Sequence, residues 1–397
     1  MDRLYRESLL WQQRIGHSFK RSLYERVHWD SRLIGITGAR GTGKTTLLLQ
    51  RLKELELPSE RALYVPLDNL WFTENRLMDL IEEHRNRGGT HLFLDEVHKY
   101  PNWAQEIKHA HDLYPELRIR FSGSSIIDLR EADADLSRRA ILHELPGLSF
   151  REYLLITGIL EENPIDRDTL IRDHERIALS ITERIRPLEY FSEYLQKGYY
   201  PIFSEDPETY SIRLRQIIDL VIGSDLRFVQ GFDPGNASKM ARLLYVLAVN
   251  VPFKPKVTKL AEHIGIYRNT LVQYLHYLQK ARLIETLYQK GRSIGTLRKP
   301  DKILLQNPNL AQALSPEEAN IGSLRESFLA SQLSVNHEIS LPQKGDFLVD
   351  DRFLIEVGGK QKEEKQIKAS KDAYLAIANI ELGVGKRIPL WLFGFLY

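Results

Sequence analysis

Residues 38–45 have the types and the spacing of a loop that holds a triphosphate. They read Gly-Ala-Arg-Gly-Thr-Gly-Lys-Thr and fit the P-loop pattern G-x-x-x-x-G-K-[ST] at every fixed position. Glycines let the backbone wrap around phosphate oxygens, the lysine reaches the β- and γ-phosphates, and the final hydroxyl binds Mg²⁺. We therefore expect a site for ATP with Mg²⁺ that is formed by Gly38, Ala39, Arg40, Gly41, Thr42, Gly43, Lys44, Thr45 and Thr46.

A second, acidic motif follows the P-loop in the sequence. Residues 91–96 read His-Leu-Phe-Leu-Asp-Glu, an apolar run that ends in two carboxylates. This Walker B pattern is typical of the strand that holds Mg²⁺ in P-loop enzymes. Asp95 is expected to bind the metal together with Thr45, directly or through water. Glu96 is expected to act as the base or orienter for the attacking water.

A serine-rich segment adds a third group of polar residues. Residues 121–125 read Phe-Ser-Gly-Ser-Ser at the end of another strand-like run. We expect Ser124 to sense the γ-phosphate or the attacking water, with Ser122 and Ser125 as rivals for that role. A serine-rich turn without such a role is the alternative interpretation.

These motifs need strands that end at one edge of a sheet. Residues 33–37 (LIGIT) predict a buried strand before the P-loop, and residues 44–54 predict the helix after it. Further strands are predicted at 61–67, 91–95 and 117–122, and further helices at 74–86 and 103–112. Alternating strands and helices predict an α/β fold, a P-loop NTPase whose mostly parallel sheet is covered on both faces.

Composition restricts what the rest of the chain can do. A length of 397 residues suggests about two to four domains. The absence of cysteine excludes disulfides, thiolate zinc sites and cysteine nucleophiles. A net charge of +2 leaves any contact with nucleic acid to a local patch. The charged N-terminal segment and the lack of a long apolar run predict a cytoplasmic protein with no membrane partner.

The pattern of elements predicts four parts. They are an ATPase domain at 1–160, a helical linking or lid segment at 161–245, a winged helix at 246–295 and a small α/β domain at 296–397. Strand-like runs mark the last part, namely KILLQ, DFLVD, RFLIEV and the terminal PLWLFGFLY.

Residues 257–287 contain two amphipathic helical patterns around Gly265, and residues 281–292 (ARLIETLYQKGR) resemble the hairpin of a winged helix. The second helix is expected to expose Arg268, Asn269, Gln273, His276, Gln279 and Lys280. Such a face suits the phosphates and base edges of double-stranded DNA. A winged helix that only packs, or that contacts a protein, is the other interpretation.

The C-terminal part contains an ordered set of acidic residues. Glu326 lies on a predicted helix, Asp346 and Glu356 lie on successive predicted strands, and Lys360 follows. This order resembles that of restriction-endonuclease-like folds, in which carboxylates hold Mg²⁺. The usual Glu-x-Lys spacing places the lysine roughly 7 Å along the strand, whereas four residues place it at about 13 Å. We therefore expect a degenerate, noncatalytic domain.

The motifs occur in an order that resembles a known family. GARGTGKTTLLLQ, HLFLDEVHKYPNWAQEIK, FSGSS and RRAILHELPGLSFREYL are followed by YLQKGYYPIF, IGSLRESFLASQL and IPLWLFGFLY. Together these segments resemble the prokaryotic AAA+-like P-loop ATPases that carry a winged helix and a C-terminal domain of uncharacterised function. The resemblance implies ATP hydrolysis coupled to conformational change.

The same resemblance points to an arginine near the serine-rich segment. Arg139 matches the arginine that is usual there, whereas Arg138 stands where a glycine is common. Such an arginine contacts the γ-phosphate in its own chain or from a neighbouring subunit. A solvated basic pair is the alternative.

Three functions are compatible with the sequence. The first is an ATPase whose nucleotide state repositions the C-terminal domains against a protein partner or a second copy of the chain. The second is a DNA-binding regulator switched by ATP, and the third is an ATP-gated nuclease.

Overall fold

Short apolar runs form the sheet that contains the P-loop. The computed structural model describes residues 1–16, 19–124, 136–229, 231–250, 257–289, 299–317, 320–363 and 372–397. Among these, the sheet consists of β1 (Leu33–Thr37), β2 (Ala62–Pro66), β3 (His91–Asp95), β4 (Arg118–Ser122) and β5 (Ile141–Glu144). Their order is β2-β3-β4-β1-β5, and every pair is parallel. The carboxyl ends of all these strands therefore lie along one edge.

The position of β4 brings the sequence motifs together. Strand β4 lies between the strand that leads into the P-loop and the strand that ends in Asp95. Ile36 pairs with Ser122, and Leu94 pairs with Phe121. The last residues of β1, β3 and β4 are consequently neighbours, as the predicted α/β fold requires.

Helices cover both faces of this sheet. They are α1 (Asp2–Gln13), α2 (Ser22–Arg26), α3 (Lys44–Glu54), α4 (Leu77–Asn86) and α5 (Trp103–Leu113). One apolar core combines residues of α1, α4 and α5 with Leu33 and Leu63, and the other combines α2 and α3 with Ile34 and Tyr64. Neighbouring residues of one strand enter different cores because side chains alternate between the faces of a sheet.

The described residues form two compact units. The first unit contains Met1–Pro146 and Asp225–Phe232, and the second contains Gly147–Ser224 and Asp233–Tyr397. The chain therefore leaves the first unit after β5, returns to it for a short segment and leaves it again. We call residues 225–232 the returning segment.

Helices make up most of the first half of the second unit. They are α6 (Phe150–Ile156), α7 (Arg167–Thr182), α8 (Pro187–Lys197), α9 (Tyr210–Gly223), α10 (Ala237–Asn250), α11 (Val257–Ile264) and α12 (Arg268–Lys280). The apolar positions predicted for α11 and α12 are buried, as the helical spacing implies. None of the helices in the described part of the chain combines the length and the apolar character that a bilayer span requires.

Two small sheets and two further helices complete the second unit. Strands β6 (Ile284–Leu287) and β7 (Lys302–Leu305) pair in antiparallel fashion. The other sheet has the order β12-β11-β10-β9-β8, with antiparallel pairs from β8 to β10 and parallel pairs from β10 to β12. The remaining elements are α13 (Pro308–Leu314), α14 (Ile321–Leu333), β8 (Ile339–Ser340), β9 (Phe347–Val349), β10 (Phe353–Gly358), β11 (Ala373–Ile377) and β12 (Arg387–Pro389).

The terminal apolar run differs from the predicted strand. Strand β12 ends at Pro389, and Leu390–Phe395 form a 3-10 helix whose residues are all buried. A continuous apolar run does not distinguish a buried strand from a buried helical turn. The 3-10 helix packs closely on α6, because a Cβ atom at Gly394 would lie 2.4 Å from the Cβ atom of Phe150.

Candidate functional site

The P-loop has the backbone that phosphate binding needs. Gly38 has a φ of 147°, and a Cβ atom there would lie 2.4 Å from the carbonyl oxygen of Leu145. Gly43 has a φ of 95° and caps the amino end of α3, which begins at Lys44. Both positions thus favour glycine. The free N–H groups at the start of α3 form a site for an anion such as phosphate.

The Lys44 side chain folds back onto the backbone of the P-loop that contains it. Its Nζ atom donates to the carbonyl oxygens of Gly38 at 3.0 Å and Ala39 at 2.9 Å. Burial lowers the pKa of Lys44, whereas the carboxylates of Glu96 and Asp95 oppose this effect. The ammonium group is therefore placed between the phosphate-binding loop and the acidic end of β3. Farther along α3, Thr45 is half-buried and Thr46 is exposed.

Arg21 braces the P-loop from outside the motif. Its buried guanidinium group donates through Nη1 to the carbonyl oxygen of Thr42 and through Nη2 to that of Pro146, both at 2.7 Å. These bonds join the loop to the chain that follows β5. Nothing in the sequence around Arg21 indicates this role, because the partners are backbone atoms distant in sequence.

Asp95 is the centre of a buried network of hydroxyl groups. Its Oδ2 atom accepts from the Thr45 hydroxyl at 2.6 Å and from the Tyr64 hydroxyl at 2.7 Å. Its Oδ1 atom accepts from the Ser122 hydroxyl and, at 3.1 Å, from the Glu96 N–H. Burial, and then the Asp95 carboxylate, raise the pKa of Tyr64, so this phenol remains a donor.

The pair of Thr45 and Asp95 fits a magnesium ion. Mg²⁺ is usually held by one or two protein oxygens together with substrate phosphates and water. A hydroxyl and a carboxylate oxygen 2.6 Å apart at the end of the P-loop match that need. The structure thus brings together the two residues that the sequence assigned to the metal.

Glu96 adopts an uncommon backbone conformation at the end of β3. Its φ of 54° lies in the left-handed region, which costs a residue other than glycine roughly 1–2 kcal/mol. The carboxylate oxygen Oε2 is buried and has no hydrogen-bond partner among the described residues. Lys99 Nζ lies 3.4 Å from it and His98 Nε2 lies 3.8 Å from it. The Glu96 side chain therefore lies beside the Asp95 network, which Glu96 joins only through its backbone N–H.

The serines after β4 occupy different places. Ser122 is fully buried and bonds to Asp95, which makes it part of the Asp95 network. Ser124 is also buried, and its N–H donates to His98 Nδ1 at 3.4 Å. Ser125 lies outside the described residues. The assignment of the sensor role to Ser124 stays a prediction, and Ser122 has the closer contact with the acidic motif.

Arg139 lies at the edge of the sheet opposite to the P-loop. Arg139 precedes β5, which runs parallel to β1. Arg139 is therefore level with the amino end of β1. Its guanidinium group forms two bonds with the Asp112 carboxylate, at 2.7 and 3.0 Å. The P-loop lies at the carboxyl ends of the strands and Arg139 at their amino ends, and four strand residues separate these two edges of the sheet by about 13 Å. Contact with the γ-phosphate in its own chain does not fit this position, and contact from a neighbouring subunit stays a prediction. Arg138 is exposed at the end of a 3-10 turn.

The returning segment adds residues that the sequence motifs do not reveal. Arg40 of the P-loop bonds to both carboxylate oxygens of Asp225, at 3.0 and 3.2 Å. Asp225 is 1% exposed, so this pair holds a buried charge next to the phosphate-binding loop. The Phe228 ring meets the His98 ring edge-on, with centroids 5.6 Å apart.

The acidic residues of the second unit are paired with lysines. Lys302 Nζ lies 2.8 Å from Glu326 Oε2 and 3.6 Å from Asp346 Oδ1, and Lys362 Nζ lies 2.6 Å from Glu356 Oε1. Lys360 is exposed. Within the described parts of the chain, no group of three or more His, Cys, Asp or Glu residues has the geometry of a metal site.

Comparison with known proteins agrees with the geometry of the first unit. Residues 30–154 match a family model described as an AAA domain. Residues 188–321 match a model described as a domain of unknown function (DUF8612). An uncharacterized protein of Methanocaldococcus jannaschii is 28% identical over 387 residues, covering 88% of this chain and 80% of that protein. The AAA match includes the P-loop, the Walker B motif and the serine-rich segment, so this part of the chain is similar to AAA domains, which supports a P-loop ATPase.

Solved structures give weaker likenesses. AMPPCP-bound DnaA from Aquifex aeolicus is 16% identical and has a TM-score of 0.26, covering 65% of this chain and 84% of DnaA. The S. cerevisiae Hsp104–ADP complex is 15% identical and has a TM-score of 0.33, covering 68% of this chain and 39% of Hsp104. Scores this low do not define a shared arrangement, so the assignment of the AAA domain depends on the match to the family model.

Lys44→Ala should abolish tight nucleotide binding. The ammonium group is expected to be the cation that contacts the β- and γ-phosphates, because Arg40, the other cation of the loop, is paired with Asp225. Isothermal titration calorimetry with ATP and Mg²⁺ measures the effect, and Lys239→Ala on an exposed position of α10 is the control. Unchanged ATP affinity in the Lys44 variant would contradict the assignment of the P-loop.

Asp225→Asn should tighten nucleotide binding. The change removes a negative charge beside the P-loop and leaves an amide oxygen to accept from Arg40. We expect Kd for ATP to fall by about three- to tenfold, roughly 1 kcal/mol. Calorimetry tests this against Asp219→Asn, the same change at an exposed position of α9. Weaker or equal binding by a folded Asp225 variant would show that this carboxylate does not oppose the nucleotide.

Proposed function

We propose that the chain is a Mg²⁺-dependent ATPase whose reaction takes place at the carboxyl edge of the first sheet. The observation that carries the proposal is the Asp95 network, which joins the P-loop hydroxyl of Thr45 to the acidic end of β3. Glu96 follows directly, and its buried Oε2 atom has no hydrogen-bond partner among the described residues, with Lys99 Nζ 3.4 Å away as its ion-pair partner. A phosphate-binding loop, a metal-binding pair and an available base are the parts that phosphoryl transfer to water needs.

Each residue of this site has a separate task. The P-loop amides and Lys44 bind and neutralise the phosphates. Thr45 and Asp95 would hold Mg²⁺, which when bound neutralises charge that develops on the phosphate oxygens. Glu96 would accept a proton from the attacking water. Tyr64 and Ser122 keep the Asp95 carboxylate in one orientation, because each donates to a different oxygen of it.

The path of the chain supports coupling between nucleotide state and the second unit. The returning segment packs in the first unit, yet the residues before and after it belong to the second. Asp225 of this segment bonds to the P-loop through Arg40. A change in the P-loop on nucleotide binding or hydrolysis would therefore act on a segment that is continuous with the second unit at both ends. We propose that the ATPase uses this link to reposition the second unit against a protein partner or a second copy of the chain.

Glu96→Gln should keep ATP binding and slow hydrolysis. The amide has the shape of the carboxylate but does not accept the proton, so kcat should fall by about 10²-fold or more. Phosphate release measures kcat, and calorimetry shows whether binding survives. Glu82→Gln makes the same chemical change on the exposed face of α4 and should leave kcat unchanged. Normal turnover in the Glu96 variant would place the base elsewhere.

Binding of double-stranded DNA is a second candidate function. Helices α10 to α12, followed by the antiparallel pair of β6 and β7, have the order of a winged helix. Helix α12 contains no acidic residue, and Arg268, Asn269 and His276 are exposed on it. Gln273, Gln279 and Lys280 are half-buried. Lys290, Gly291 and Arg292 of the predicted hairpin lie outside the described residues.

The lysine pairs support a noncatalytic C-terminal domain. Lys302 already supplies positive charge to Glu326 and Asp346, the carboxylates that a nuclease would give to Mg²⁺. Lys362 does the same for Glu356. We therefore propose that this resemblance to nucleases concerns the fold and not the reaction.

If α12 contacts duplex DNA, the affinity should fall with salt, with a log–log slope of about −0.9 per phosphate neutralised. Replacing both Arg268 and Lys280 by alanine should flatten this slope by up to about 2 units. Fluorescence anisotropy of a labelled duplex, with and without an ATP analogue, measures the slope. Replacing Arg172 and Arg176 of α7 by alanine removes equal charge elsewhere and serves as the control.

Two results would contradict DNA binding by α12. No binding of the wild type at low salt, in either nucleotide state, would leave the winged helix as a packing module. If the Arg268 and Lys280 double variant keeps the wild-type salt dependence of DNA affinity, the DNA contact lies on another surface. In the same samples the duplex should stay intact with Mg²⁺, because the acidic residues of the second unit are paired with lysines.

A further inference from the structure

His98 connects three parts of the candidate site. It lies in the 3-10 turn Val97–Lys99 directly after the Walker B motif and is buried. Its Nδ1 atom accepts from the N–H of Ser124, at 3.4 Å. Its ring meets Phe228 of the returning segment at an angle of 88°. The imidazole is therefore held from two sides, by the serine-rich segment and by the returning segment.

The contacts of His98 determine where its proton lies. Burial lowers the pKa of His98 to about 4, so the ring is neutral near pH 7. A neutral imidazole has one donor nitrogen and one acceptor nitrogen. Because Nδ1 accepts from Ser124, the proton is on Nε2. The charged groups around the ring include Asp225, Lys44, Lys99 and Arg40. The Nε2–H of His98 is therefore an uncharged donor among charged side chains.

A nitrogen of this ring and an oxygen of Glu96 are two buried polar atoms close to each other. His98 Nε2 and Glu96 Oε2 each lack a hydrogen-bond partner among the described residues, and they lie 3.8 Å apart. This separation is too long for a hydrogen bond. Both atoms would be satisfied by a molecule that accepts from Nε2–H and donates to Oε2. Water has this chemistry, and buried polar groups without a partner are uncommon in folded proteins.

We propose that His98 is a positioning residue for ATP hydrolysis and that its Nε2–H orients the water that Glu96 activates. The inference rests on the proposed ATPase function. In the step, Glu96 takes a proton from water as the water oxygen bonds to the γ-phosphorus. The bond from that phosphorus to the β,γ-bridging oxygen breaks, and ADP leaves with the electron pair. Glu96 then returns its proton to solvent, so the products are ADP, phosphate and a proton.

Phe228 gives this arrangement a link to the rest of the chain. The Phe228 side chain is about half exposed, and its ring packs nearly perpendicular to the imidazole. A shift of the returning segment would release one side of the His98 ring. Hydrolysis would then depend on the position of a segment whose flanking residues belong to the second unit.

Substitution of His98 by Phe and by Gln separates positioning from packing. His98→Phe keeps a planar ring against Phe228 and removes both nitrogens. His98→Gln places an amide N–H near the position of Nε2. We expect His98→Phe to lower kcat by about 3- to 10-fold, the size of one hydrogen bond between neutral groups, with KM and Kd for ATP unchanged. His98→Gln should recover most of the lost kcat, and His109→Phe, at an exposed position of α5, should match the wild type.

The outcomes distinguish this inference from the proposed function. If the wild type hydrolyses no ATP, or if Glu96→Gln hydrolyses it normally, the proposed ATPase site is wrong. If the wild type and Glu96→Gln behave as expected but His98→Phe keeps its kcat, the role of His98 is wrong. Loss of ATP binding in both His98 variants would show a structural role and would also overturn the inference. A lower kcat at constant Kd, rescued by glutamine, supports it.

Discussion

A buried carboxylate imposes the main constraint on the first unit. A charge removed from water is tolerated only where it is paired or well hydrogen-bonded. Asp95 is 2% exposed, and donors from the P-loop helix, from β2 and from β4 satisfy its two oxygens. These donors converge only if β4 lies between β1 and β3 with the observed register. The contact between Thr45 and Asp95 and the strand order are therefore linked through one carboxylate.

The P-loop depends on similar support from outside its motif. Arg21 holds the carbonyl oxygen of Thr42, and Asp225 holds Arg40, so the loop is tied at two points. Removing one partner of a buried ion pair leaves an uncompensated charge, which is usually far more costly than losing both. The loop thus has a defined shape before any phosphate contact. Asp225 also gives the returning segment a direct bond to the nucleotide site.

The same rule on buried charge explains the acidic residues of the second unit. Glu356 is 3% exposed and Lys302 is 4% exposed. The sequence alone suggested a row of metal-binding carboxylates with a displaced lysine. Tertiary structure adds Lys302, from β7, and Lys362, which follows β10, and these cations lie against the carboxylates. The lysines thus neutralise the acidic residues that the sequence alone would give to a metal ion.

The sequence by itself determined the P-loop, the Walker B motif and the parallel α/β fold. Each depends on local spacing: glycines at fixed positions, a lysine at the start of a helix and apolar runs that end in polar residues. It also located helices α11 and α12, whose apolar positions repeat along one face. Strand β5 was not predicted from the sequence, because its residues are mostly exposed at the edge of the sheet and do not alternate between buried and exposed positions.

Only the tertiary structure decided which distant residues complete the site. Tyr64 reaches the motifs through strand register, Asp225 through the returning segment and Arg21 from the start of α2. His98 is close to the Walker B motif in sequence, but its contacts with Ser124 and Phe228 come from the fold. Local sequence patterns do not predict these contacts. In the structure, Ser122 contacts Asp95 and Ser124 contacts His98. The sequence of the serine-rich segment did not indicate which serine contacts which residue. The fold also put Arg139 at the far edge of the sheet. Side-chain type and spacing specify the chemistry that a residue can perform, but topology determines which residues meet.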